Sequence, residues 1–102
     1  MKQIVGGKMY NTVTAEFIVE ASNGLPYSDF GHWEAKLYVT KKGQFFLAGG
    51  GGPMSRWGVA AQGGGTGGSV GIIPLDREEA AAWAEDFCST ALYEKYFTVE
   101  EA

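Results

Sequence analysis

The stretch from Pro74 to Phe97 is the only long segment of this chain with helical periodicity. Ala80, Trp83, Ala84, Phe87, Cys88 and Ala91 recur at intervals of three and four, which draws an apolar stripe down one face of a helix. Asp76 and Glu79 stand at capping-box spacing just before that stripe. Ser89-Thr90 is a second capping signal, able to break the helix and start a final turn over 91–97. A helix with one apolar face needs a surface to cover, and everything upstream reads as strand or turn. The expectation is therefore an α+β fold: about five short antiparallel strands packed by one C-terminal helix.

The upstream segments fit that scheme. Gly6-Gly7 between Lys2–Val5 and Lys8–Tyr10 predicts a two-residue hairpin, because both central residues of a type I′ turn need positive φ. Residues 14–21 alternate, with Ala15, Phe17, Val19 and Ala21 on one face. Asn23-Gly24 and Pro26 end that strand, and 28–32 read as a turn. Residues 33–40 and 44–48 alternate on either side of Lys41-Lys42-Gly43, the clearest hairpin in the chain. Val70–Ile73 reads as a last strand before the helix. Between these, 49–71 holds eleven of the sixteen glycines, and predicts a flexible loop within a single domain spanning 1–102.

With 102 residues the chain suffices for one modest core. Its net charge is −4, which argues against direct nucleic-acid binding. The charge is divided unevenly: residues 76–102 carry −6 and residues 1–75 carry +2. A lone cysteine, Cys88, excludes an intramolecular disulfide and fits a reducing compartment. The first ten residues lack the apolar core of a signal peptide, and no run is long enough to cross a membrane. The expected location is the cytoplasm.

Few residues suggest chemistry. Asp29, His32 and Glu34 form the nearest approach to a catalytic cluster, with His32 as a base oriented by a carboxylate. A turn with a capping Asp and a solvated His explains them more simply, since no nucleophile accompanies them. One His and scattered acids also fall short of a metal set, so neither metal nor cofactor is expected. Glycine amides can cradle an anion, but no phosphate-loop or dinucleotide pattern surrounds these runs.

Met54, Arg56 and Trp57 lie between the two glycine runs and are of the types that anchor interfaces. They would contact a partner, or Trp57 and Met54 would fold back and plug the sheet. Glu78, Glu85 and Asp86 lie off the apolar stripe, as a solvated face or as an acidic contact surface. Trp83 and Phe87 read as core.

Several stretches in order carry a family likeness: residues 7–12 (GKMYNT), Asn23-Gly24, Ser28-Asp29-Phe30, 37–43 (LYVTKKG), 46–49 (FLAG), 51–57 (GGPMSRW), and Ile73-Pro74-Leu75 followed by Glu79-Ala80 and Trp83. Together they resemble a family of small proteins carried by bacteriophages and mobile genetic elements. Gly50 and Val13 depart from its pattern, where relatives often carry Glu and an acid. The resemblance implies a mobile-element accessory protein in a bacterial cytoplasm. By analogy with small acidic proteins in that setting, it implies an anti-CRISPR-type inhibitor that binds a defence complex. The alternative is a binder that sequesters a nucleotide or signal through its glycine-rich loop. Exposed sheet edges would also admit a homodimer.

Overall fold

A computed structural model describes residues 1–60 and 63–102. The fold is α+β, with antiparallel sheets and the helical segment at the C-terminal end. The elements are β1 (Lys2–Val5), β2 (Lys8–Asn11), β3 (Glu16–Ser22), β4 (Trp33–Val39), β5 (Phe45–Gly51), β6 (Val59–Ala60), β7 (Thr66–Gly67), β8 (Ser69–Leu75), α1 (Arg77–Phe87) and α2 (Thr90–Tyr96). The main sheet has four strands in the order β3-β4-β5-β8, and β1-β2 and β6-β7 form separate two-stranded ribbons. Among the described residues, the expected sheet of about five strands and single helix are thus replaced by a four-stranded sheet, two ribbons and two helices.

The helical segment divides where its sequence predicts. Asp76 accepts from the Glu79 amide at 2.8 Å, and the Glu79 carboxylate accepts from the Asp76 amide at 3.1 Å. The capping box is complete, and Glu78 and Glu79 place negative charge at the positive end of the helix dipole. Cys88 leaves the helix in extended conformation, and the Ser89 hydroxyl accepts from the Leu92 amide to start α2.

The helices cover one face of the sheet. Ala80 and Ala84 lie fully buried over Leu37, Phe45, Leu47 and Leu75, so small helix residues meet large strand residues. Each of those large side chains contributes about 1.5–3 kcal/mol by leaving water. Phe97 stacks on Phe45 at 5.1 Å between ring centres, and the Arg77 guanidinium lies 5.5 Å from the Phe97 ring. Arg77 also donates to the Tyr96 carbonyl at 3.0 Å, which ties the two helices together.

The opposite face is only partly covered. There Tyr38 stacks on Phe46 at 5.2 Å, and Tyr10 of the β1-β2 ribbon meets Phe46 edge-on at 5.3 Å. Tyr10, Phe46, Ala48 and Ile72 form this second, smaller core. Gly6 and Gly7, at φ of 59° and 80°, turn the ribbon as expected. Gln3 of β1 accepts from the Ile72 amide of β8 at 3.1 Å, and Pro74 has no amide hydrogen. The β8 edge thus has one amide taken up and one position without a donor, while β3 forms the other edge.

Two expectations need correction. A bulge between Phe17 and Val19 moves Phe17 to the partly covered face, opposite Tyr38, while Val19 pairs with Leu37 on the helix face. The sequence reading had placed Phe17 and Val19 together. The stretch 49–71 is also not one loop. β5 runs through Gly51, and β8 begins at Ser69 and pairs with it along its length. Residues 61 and 62, inside the expected loop, lie outside the described residues.

Candidate functional site

The glycines in question allow main chains to approach closely. A Cβ on Gly51 would sit 2.7 Å from the His32 carbonyl oxygen. On Gly52 it would sit 2.8 Å from the Phe30 carbonyl carbon, and on Gly68 it would overlap the Gly51 carbonyl. Such distances leave no room for a side chain. The segment after β5 is therefore folded against the 25–32 loop instead of standing away from the sheet.

That packing builds a turn closed by hydrogen bonds. The Gly52 amide donates to the His32 carbonyl at 2.7 Å, and the Met54 amide donates to the Phe30 carbonyl at 2.8 Å. Ser55 donates its hydroxyl to Gly52 O at 2.7 Å and accepts from the Trp57 amide at 3.2 Å. The Gly58 amide closes the turn on the Ser55 carbonyl at 2.9 Å. Trp57 anchors it from beneath. Its side chain is 4% exposed and stacks on Trp33, and Ser69 donates to its carbonyl.

The three loop residues singled out from sequence therefore part company. Trp57 is core and not a partner contact, because it joins the Trp33, Trp83 and Phe87 cluster under the sheet end. Met54 is 78% exposed, and Arg56 is exposed as well. Backbone bonding sets Met54 beside Phe30, which is 66% exposed, with Tyr27, 88% exposed, three residues earlier. Sequence reading missed Phe30 and Tyr27. The available signal was an aromatic inside Ser-Asp-Phe-Gly, a context too rich in turn formers to bury it.

The 25–32 loop is itself well determined. Asn23 donates to the Gly31 carbonyl at 2.7 Å and accepts from the Trp33 amide at 3.2 Å. Asp29 accepts from the Gly31 amide at 2.7 Å. His32 Nδ1 lies 2.7 Å from the Leu25 carbonyl oxygen, which can only accept, so Nδ1 carries a proton. The ring packs on Tyr27 at 5.5 Å. His32 thus pins the loop, its amide donating to the Asp29 carbonyl at 3.1 Å, and among the described residues neither the Asp29 nor the Glu34 carboxylate bonds to its ring. No group of three potential metal ligands is gathered among the described residues.

Gly49 to Gly51 lie in a central strand with partners on both sides, so their amides face β4 and β8. This run does not converge its amides as an anion nest requires. Glu78, Glu85 and Asp86 are exposed on α1, without an ion-pair partner among the described residues. Cys88 is half-buried, and desolvation raises its pKa, which disfavours the nucleophilic thiolate.

Beside the turn, a groove of about 1240 Å³ crosses the uncovered half of the second sheet face. Glu34, Lys36, Gly50, Val70, Tyr27 and Phe30 are among the residues that line it. Among the described residues no helix is long and apolar enough to cross a membrane. Comparison with protein-family models, curated proteins and solved structures finds no match to this chain.

Proposed function

We propose that the protein is a non-enzymatic interaction protein that inhibits a bacterial defence complex, of the CRISPR-effector kind, in the cytoplasm of its host. The choice of target rests on the family resemblance carried by the sequence motifs. The mode of action rests on one observation: Phe30 and Met54 are exposed side by side on a frame fixed by the Met54–Phe30 backbone bond. Aromatic, methionine and arginine side chains dominate binding energy at interfaces, and a frame ordered in advance loses little entropy on docking. Arg56 adds a charged donor to the same end of the molecule, and the acidic face of α1 adds a second surface.

The test is a plasmid-interference assay with purified or co-expressed CRISPR effectors. The protein is expected to protect the target plasmid and to co-purify with the effector. Phe30→Asp with Met54→Asp is expected to abolish both while leaving the circular dichroism spectrum unchanged. Full interference by every effector type, with no complex recovered, contradicts the proposal.

A further inference from the structure

The two edges of the main sheet differ. The Asn23 amide donates to the Trp33 carbonyl at 3.3 Å, and the Gly52 amide donates to the His32 carbonyl at 2.7 Å. Antiparallel ladders alternate, so Trp33, Ala35 and Leu37 bond toward β3 while Glu34, Lys36 and Tyr38 bond toward β5. Glu20 and Ser22 stand opposite Lys36 and Glu34, and both are exposed. Their amides and carbonyls therefore point away from the sheet, and among the described residues nothing bonds to them. On β8 the same alternation turns Val70, Ile72 and Pro74 outward. Gln3 takes the Ile72 amide at 3.1 Å and Pro74 has none, so Val70 alone keeps an open amide there.

An open row of main-chain donors and acceptors is satisfied by an extended strand. The β3 row is also complementary to itself when the second strand runs antiparallel, and three symmetric registers bring outward residues together. Centred on Glu20, two carboxylates face each other directly, and the bulge between Phe17 and Val19 breaks the next pair. Centred on Ser22, the next position is Gly24, whose φ of 75° takes the chain out of extended conformation. Centred on Ala21, Glu20 faces Ser22 of the second copy, and Ser22 faces its Glu20. That register makes two hydrogen-bonded pairs, each with two main-chain bonds, and sets no like charges opposite. Ala21 at the axis is small enough for the closer approach of the pair between them. The Ser22 hydroxyl accepts from the Gly24 amide at 3.3 Å, which leaves its proton for the Glu20 carboxylate across the axis. Lys36, 3.7 Å from Glu20 in the same chain, offsets the charge of that carboxylate.

We propose that the protein forms a two-fold dimer through its β3 edges, with the Ala21 positions paired on the axis and the two main sheets joined into one. The bulge ends the pairing on one side and Gly24 ends it on the other. The guarded β8 edge stops a third copy from adding, so the assembly closes at two. The dimer goes beyond the reading of the protein as an inhibitor and does not depend on it.

A junction this short makes a weak dimer, so the experiment is sedimentation equilibrium of the full chain over about 10 µM to 1 mM. Monomer and dimer are expected, and nothing larger. In isotope-labelled protein the Glu20 and Ser22 amides are expected to exchange with water more slowly as the concentration rises, while the Val70 amide does not change. Ser22→Glu sets a carboxylate against Glu20 on both sides of the axis. Ser22→Pro removes an amide that bonds to nothing within one chain. Each is expected to weaken dimerisation by about tenfold or more. Both alter an exposed position, and a circular dichroism spectrum checks the fold. A monomer throughout the range, a dimer indifferent to Ser22→Glu, or species larger than a dimer would each overturn the pairing. Protection of Glu20 and Ser22 that appears only when another protein is added would also overturn it, and would give the edge to a foreign strand.

Discussion

Trp57 separates a packing role from a contact role by a large margin. If it were an interface residue, Trp57→Ala would leave a stable protein that fails to bind. Its 4% exposure and its stacking on Trp33 dictate the opposite. Removing a buried tryptophan side chain costs about 3–5 kcal/mol. One correction applies: the indole Nε1 is buried with no hydrogen-bond partner among the described residues. Deleting that orphan donor returns about 1–3 kcal/mol. At the middle of both ranges, the net loss for Trp57→Ala is about 2 kcal/mol. For Trp57→Phe, which keeps a ring against Trp33 and removes the donor, it is below about 1 kcal/mol. Urea denaturation followed by far-ultraviolet circular dichroism measures both. At this chain length a loss of about 2 kcal/mol lowers the melting temperature by roughly 8–16 °C. A Trp57→Ala protein within about 0.5 kcal/mol of the parent would refute the placement of this side chain.

Two further outcomes follow from the same packing. Gly52→Ala forces a Cβ against the Phe30 carbonyl and is expected to destabilise the fold by about 1–3 kcal/mol, read by the same denaturation. Tyr96 has its pKa raised to about 12, first by burial, then by its hydrogen bond to the Glu16 carboxylate and by that carboxylate's charge, with Cys88 adding a smaller effect. Because the folded-state value lies above the usual 10, the stabilisation is complete below pH 10 and is lost as the pH rises toward 12. Ultraviolet titration should show one late-ionising tyrosine, which Glu16→Gln brings earlier. An unchanged titration would remove the Glu16 contact from the account.

The elements legible in the sequence were those fixed by local chemistry. Asp76 and Glu79 cap α1 because their spacing lets each side chain reach the other's amide. Ser89 splits the helices and Gly6-Gly7 turns the ribbon for equally local reasons. What escaped sequence reading depends on distant partners. Gly49 to Gly51 have low strand propensity, yet they pair with Trp33 to Ala35 on one side and Ser69 to Gly71 on the other. Only the neighbouring strands reveal that these positions lack room for side chains. The bulge after Phe17 is invisible to an alternation pattern, which assumes an unbroken period of two. For the site, residue type singled out Met54 and Arg56, which the fold leaves exposed. It misled at Trp57, since an aromatic suits an interface and a core equally well. Phe30 joins the surface only because its carbonyl receives the Met54 amide from a turn more than twenty residues away.

The functional account depends on the glycine-rich turn being a fixed part of the scaffold, holding Met54 against Phe30 before any partner arrives. Amide hydrogen exchange on the free protein, resolved by residue, tests that directly. The Gly52 and Met54 amides, bonded to the His32 and Phe30 carbonyls, are expected to exchange slowly, on the scale of the β5 amides beside them. Exchange of these two at the rate of an unstructured chain, while β5 stays protected, would contradict it.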